Sequence, residues 1–193
     1  MKQTRRSKLI FQPDTYRGFQ RGVNILADAI APTLGPFPGH VAIQPADRSS
    51  TPEILDDGAT IARRLIQLED RSADMGAMYL RQLLWAIHEN IGDGTATTAV
   101  LFRAIYNDSL RFITAGGNAM LLRRQLESLI PLLDSELHKM ATPIQSKTQL
   151  IQFANSICND SELATHLGEI LDTIGEYGSL EIQTSHTLQD ECK

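Results

Sequence analysis

Apolar positions along the chain recur mainly at helical spacing. Phe19, Val23, Leu26, Ala27 and Ile30 form one stripe, while Arg17, Arg21, Asn24 and Asp28 lie on the opposite face, which predicts an amphipathic helix from Thr15 to about Ala31. Pro32, Pro36 and Pro38 forbid its continuation, and Gly35 frees the backbone there. Before it, the apolar patch from Lys8 to Phe11, ended by Pro13 and Asp14, reads as an edge strand. After it, His40 to Gln44 reads as a strand, with Glu53 to Leu55 as its hairpin partner across a polar loop. Ala59 to Leu68 is then a short helical segment. Asp70 opens a longer helix whose face is Met75, Met78, Leu83, Ala86, Ile87 and Asn90, widened by Leu80, Leu84 and Ile91; a face this broad predicts burial, with the methionines and Trp85 as packing. A third long helix runs through Val100, Leu101, Ala104, Ile105 and Phe112 until Gly116 and Gly117 stop it.

Asn118 is a suitable cap for a helix reaching about Met140 with a stripe of Leu122, Leu126, Leu129, Leu133, Leu137 and Met140, and Pro131 within it predicts a kink. Pro143 interrupts the chain. Ser146 with Gln149, and Asn159 with Glu162, have the spacing of capping boxes for two further helices. The second carries Leu163, Leu167, Ile170, Leu171 and Ile174 and ends at Gly175 and Gly178, after which Ser179 to Gln183 alternates like a strand. The fold class expected is mainly α, a helical bundle with a small β-hairpin.

Composition narrows the function. The chain has 193 residues, enough for one large or two small domains, and its 42% hydrophobic fraction is sufficient for a packed core. Eighteen Lys and Arg against 23 Asp and Glu leave a net charge of −5, which argues against nucleic acid and against an anionic membrane surface as partners. The basic residues Lys2, Arg5, Arg6 and Lys8 read as a solvated end rather than a targeting segment, because no apolar run of the required kind follows. No span has the length of a membrane helix. Cys158 and Cys192 stand in unrelated contexts and the five histidines include no pair at ligand spacing, so a reduced, cytoplasmic setting without a His/Cys metal site fits best.

Three loops carry candidate chemistry. Ile91 to Val100 reads IGDGTATTAV: two glycines flank Asp93, and Thr95, Thr97 and Thr98 follow where a helix begins. Unpaired N–H groups and the positive end of the dipole at a helix start suit a phosphate, glycine permits close backbone approach, and Asp93 could hold a divalent cation. The same residues also make an ordinary turn and N-cap. Thr33 to Pro36, TLGP, is a second loop of this kind that also reads as a plain helix end. Asp56, Asp57 and Gly58 form the third, open between a catalytic pair of carboxylates and a solvated turn.

The order of the pieces resembles the group I chaperonins, the GroEL-like family. RGVNILADAI at Arg21 to Ile30 is similar to the family's RGVNVLADAV, and TLGP follows in the family's position. LED at Leu68 to Asp70, MGA at Met75 to Ala77, GDGT at Gly92 to Thr95, AGGN at Ala115 to Asn118 and LQDE at Leu188 to Glu191 come in family order. The resemblance implies that residues 1–142 are the N-terminal half of an equatorial, ATP-binding domain. It implies that residues 143–193 are the ascending α/β arm of an intermediate domain, and that the apical domain lies outside this chain.

The resemblance further implies ATP and Mg²⁺ as cofactors. Thr33, Leu34, Gly35 and Pro36 would wrap the nucleotide, Asp93 would ligate Mg²⁺, and Gly92, Gly94, Thr95 and Thr97 would cradle phosphates. Asp57 would act on the hydrolytic water, as phosphoryl transfer needs a metal, preorganised donors and a group that orients water. Implied partners are other subunits of a homo-oligomeric ring, with unfolded polypeptides and a co-chaperonin engaged only through the apical domain. Departures from the family pattern are Ala96 in place of the middle threonine of GDGTTT, Phe37 and Pro38 in place of Lys-Gly, DDG in place of KDG, and a longer loop between Gln44 and Asp57. The function expected is that of a subunit fragment of an ATP-dependent protein-folding chaperonin. The alternative is a non-catalytic, truncated paralogue acting as an interaction or assembly partner. Wide apolar faces on a chain spanning only part of the family's length predict an exposed apolar patch.

Overall fold

Small residues set the central contact. Gly18 and Gly22 on helix α1 (Asp14–Ile30) meet Ser72, Ala73 and Ala77 on helix α3 (Arg71–Ile91), and Gly76 of α3 meets Phe19, in a computed structural model, which describes residues 9–35, 38–44, 51–175 and 178–182. A Cβ built on Gly22 would lie 1.7 Å from the Ala73 carbonyl oxygen, and one on Gly76 would lie 2.1 Å from that of Phe19. Only hydrogen fits at either place. Around this seam Val23, Leu26, Ala27 and Ile30 of α1 and Ala77, Leu80 and Leu84 of α3 form the core, joined by Ile61 and Ala62 of α2 (Gly58–Arg64) and Ala99 of α4 (Thr95–Thr114).

Between α1 and α2 lie a single 3-10 turn, Ala31–Thr33, and two short strands. Strand β1 (Val41–Ile43) pairs antiparallel with β2 (Glu53–Leu55), with Val41 opposite Leu55 and Ile43 opposite Glu53. The remaining helices are α5 (Ala119–Met140), α6 (Lys147–Cys158) and α7 (Ser161–Ile174), so the described chain is mainly α with one small hairpin. It divides into two compact units at Ile130/Pro131, a point inside α5. In the second unit α6 and α7 pack closely through Ala154, Ala164 and Gly168, where a Cβ would come within 2.4 Å of the Ile151 side chain. No helix among the described residues is long and apolar enough to cross a membrane.

Several local expectations need correction. Leu9 to Phe11 and Ser179 to Ile182 are irregular rather than strands; Lys8 and Gln183 lie outside the described residues. The buried stripe of α3 is Ala73, Gly76, Ala77, Leu80 and Leu84, whereas Met75 and Met78 are exposed. Close approach of α1 selects the small side of the helix, and long thioethers do not fit beneath it. On the polar face Asn24 is half-buried against α4, where the Asn107 amide donates to Asn24 Oδ1 at 2.9 Å and the Gln20 amide donates to Asn107 Oδ1 at 3.0 Å, while Asp28 stays exposed, as expected, and pairs with Arg103.

The short helix after the hairpin stops at Arg64 rather than Leu68. Residues 65–68 are instead held by Arg81, which donates to the Leu65 and Ile66 carbonyls, and by the Asp74 carboxylate, which accepts from the Leu68 N–H. Asp160, not Asn159, caps α7, accepting from the Glu162 and Leu163 N–H groups, while Asn159 ends α6 in the left-handed region at φ 53°. Asn118 and Ser146 cap α5 and α6 as expected. Helix α5 continues through Pro131 and buries none of its residues. Leu101, Ile105 and Phe112 of α4 are also exposed.

Candidate functional site

Helix α3 ends and α4 begins across three residues. Gly92 closes α3 at φ 85° and Gly94 precedes α4 at φ 84°, both in the left-handed region where glycine is free of Cβ strain. The two turns leave Asp93 exposed between them, with Asp93 Oδ1 accepting from the Gly94 N–H. The first backbone bond of α4 runs from Thr98 N–H to the Gly94 carbonyl at 2.9 Å. No side chain caps the helix, so the N–H groups of Thr95, Ala96 and Thr97 have no intrahelical acceptor. These donors and the helix dipole create a local preference for an anion beside Asp93. Thr95 is buried and Thr97 exposed, so their hydroxyls occupy opposite sides of the first turn.

Asp57 belongs to the second loop and acts as N-cap of α2. Its Oδ1 accepts from the Ala59 N–H at 3.2 Å, and its Oδ2 accepts from the Thr60 N–H at 2.8 Å and the Thr60 hydroxyl at 2.6 Å. Partial burial pushes this acid up. The Thr60 hydroxyl, the two N–H donors and the charge of His88 outweigh that effect and hold it below the usual carboxylate value. Asp56 is exposed.

Gly58 brings these two loops together. A Cβ at Gly58 would lie 2.9 Å from Ile30 Cγ2, 3.0 Å from Thr95 Oγ1 and 3.4 Å from the Ala96 nitrogen. The start of α2 is therefore wedged between the end of α1 and the first turn of α4. Sequence reasoning nominated the DDG turn for its acids and overlooked this role of its glycine; the signal available was a glycine at the first position of a helix, where a capping acid already precedes it.

The third loop leaves α1 through Ala31–Thr33, which lies against α4. Thr33 is buried and its hydroxyl donates to the Ile30 carbonyl at 2.8 Å, which ties that side chain to the backbone. Leu34 is half-exposed, Gly35 has φ 115° with no atom within 4 Å of a built Cβ, and the Gly39 N–H closes the loop on the Pro32 carbonyl at 2.9 Å. Pro36 and Phe37 lie outside the described residues. The structure thus brings Thr33, Asp57, Gly92, Asp93, Gly94, Thr95 and Thr97 to one end of the α1/α2/α4 packing. Among the described residues no group of three or more His, Cys, Asp or Glu side chains converges. Any divalent cation at Asp93 must take most of its ligands from water or a bound anion, the manner in which Mg²⁺ usually binds beside phosphates.

In its fold the chain is similar to the chaperonin gp146 from the bacteriophage EL 2 (Pseudomonas aeruginosa), crystallised in the presence of ATP-BeFx, with a TM-score of 0.66 and 24% sequence identity. The match covers 82% of this chain and 28% of that one, so the sequence spans little more than a quarter of that chaperonin. The model of the TCP-1/cpn60 chaperonin family matches residues 26–173, a stretch containing Thr33, Asp57, Asp93 and all three candidate loops. The chain belongs to the TCP-1/cpn60 chaperonin family.

Proposed function

We propose that this chain is the nucleotide-binding portion of a chaperonin subunit, and that it binds ATP with Mg²⁺ in the angle between α2 and α4. The observation that carries the reading is the wedge at Gly58, which sets the Asp57 turn against the uncapped first turn of α4. Family membership and a neighbour crystallised with ATP-BeFx support it. In this reading the N–H groups of Thr95, Ala96 and Thr97 receive phosphate oxygens, the Thr97 hydroxyl adds a donor, and Gly92 and Gly94 keep the loop free of side chains. Asp93 holds Mg²⁺, whose charge offsets that of the phosphates. Thr33, Leu34, Gly35 and Pro36 border the nucleotide, with Gly35 leaving its path open. Asp57 orients the attacking water.

Residues 1–142 are then the equatorial half-domain and residues 143–193 the intermediate arm. The subunit works in the cytoplasm within a ring of like subunits, and its complete form refolds unfolded polypeptides with a co-chaperonin. A second reading, nucleotide binding without hydrolysis, is favoured by the engagement of both Asp57 oxygens as a helix cap. Calorimetric titration with MgATP, paired with a phosphate-release assay, separates the two. Binding that is lost on Asp93→Asn supports the site. Absence of binding by the folded chain overturns it, and binding without turnover selects the second reading.

A further inference from the structure

The last two turns of α3 carry a cluster outside the loops. Trp85, the only tryptophan of the chain, has the Arg63 guanidinium 4.8 Å from its ring centre. The His88 ring lies 5.4 Å from it, inclined by 34°. Arg64 pairs with Glu53, but among the described residues Arg63 has no carboxylate partner, and the indole is its one neighbour of opposite polarity.

The position of this cluster gives it a use. Arg63 stands in the last turn of α2, and Asp57 caps the first turn of the same seven-residue helix. A helix this short moves as one body, so whatever fixes Arg63 also fixes the pitch of Asp57. His88 is close enough to Asp57 for its charge to act on it, and the His88 carbonyl accepts from the Gly92 N–H at 3.0 Å. The cluster therefore touches the Asp57 wall of the site through α2 and the glycine wall through the end of α3.

We propose that Arg63 and Trp85 are positioning residues: the guanidinium on the indole sets α2 along α3 and so holds Asp57 toward the Gly92–Thr95 loop. This rests on the nucleotide reading above. The wedge at Gly58 and the buried Ala59, Ile61 and Ala62 hold the first turns and inner face of α2, and the Arg63–Trp85 contact adds the constraint at its last turn.

Two measurements on the full 193-residue chain test this, using Arg63→Gln, Trp85→Leu and the conservative Arg63→Lys. Hydrogen exchange at the Ala59 and Thr60 amides, both bonded to Asp57, should quicken about two- to fivefold in the first two variants, the range an exposed cation–π contact supports. The Leu26 and Leu80 amides should be unchanged, and Arg63→Lys should restore most of the protection. Unchanged cap amides, or equal quickening everywhere, would overturn the proposal. Calorimetry with MgATP and MgADP should show a similar loss for ATP alone, because in the nucleotide reading Asp57 acts beside the terminal phosphate, which ADP lacks; equal losses for both count against positioning. If the unaltered chain binds neither nucleotide, the nucleotide reading falls while the exchange data still decide the role of the cluster.

Discussion

Replacing Gly22 by alanine sets two helix effects against each other. Alanine is the better helix former, by about 1 kcal/mol in an exposed helix interior. At Gly22 the added methyl would lie 1.7 Å from the Ala73 carbonyl oxygen and 2.7 Å from its carbon. Real Cβ contacts essentially never fall below 3.0 Å, so the two backbones must part by more than an ångström at this point. The obstructing atom belongs to the backbone, and no rotamer change can relieve it. A gap of that size forfeits a quarter to a half of the dispersion attraction along the seam, and overpacking of this kind costs about 3 kcal/mol.

The clash therefore wins by about 2 kcal/mol, a large share of an ordinary domain's total stability. Thermal unfolding followed by circular dichroism should show a fall of about 4–8 °C for a chain of this size, with a matching drop in the urea midpoint. Gly76→Ala, whose methyl would meet the Phe19 carbonyl at 2.1 Å, should behave alike. Gly18→Ala meets mainly the Ser72 side chain at 2.6 Å and should lose less. A Gly22→Ala protein melting at or above the unaltered chain would refute the reasoning, since it would mean that propensity outweighs the α1/α3 contact.

Asp57→Ala should remove a stabilising cap worth about 1 kcal/mol at neutral pH. Because the folded chain holds the Asp57 carboxyl below its ordinary pKa of 3.8, its contribution is complete above that value and is lost as pH falls through the lower folded value; acid unfolding of the variant should lack this component. At the α6/α7 junction Asp160→Ala should cost about 1 kcal/mol as a lost cap, and Asn159→Gly should be tolerated at φ 53° where Asn159→Ala is not; chemical denaturation ranks the three. The chain should bind a hydrophobic dye and self-associate through the exposed face that includes Leu101 and Ile105, and light scattering from a clean monomer with no dye enhancement would contradict this.

What the sequence made legible was the chemistry that depends on near neighbours along the chain. Glycines at Gly92 and Gly94, Asp70 before a periodic run, and Ser146 three residues before Gln149 each act through backbone groups one to four residues away, so their roles survive without knowledge of the fold. The misread features depend on a partner. Which side of α3 is buried is decided by how closely α1 approaches, and that approach depends on hydrogens at Gly22 and Gly76 that no hydropathy pattern weighs. Asn24 looked solvated because its partner, Asn107, stands some eighty positions away on α4. The capping boundary at Asn159 and Asp160 failed by one residue because either side chain can cap, and only the left-handed turn at Asn159 assigns the role to Asp160.

The candidate site draws on both kinds of information. Each loop announced itself locally, through TLGP, DDG and GDGT, and the family order of those motifs suggested that they belong together. DDG and GDGT meet through one non-local contact, Gly58 against Thr95 and Ala96, made possible because α2 follows the hairpin closely enough to reach Ile30, and the TLGP turn lies separately against α4. The same contact explains why a short helix with little core of its own has a fixed place: its first residue is wedged, its middle is buried at Ile61 and Ala62, and its last turn rests on Trp85. In the proposed nucleotide reading the Asp57 carboxylate, whose position has to be precise, therefore sits on an element constrained at both ends rather than on a free loop.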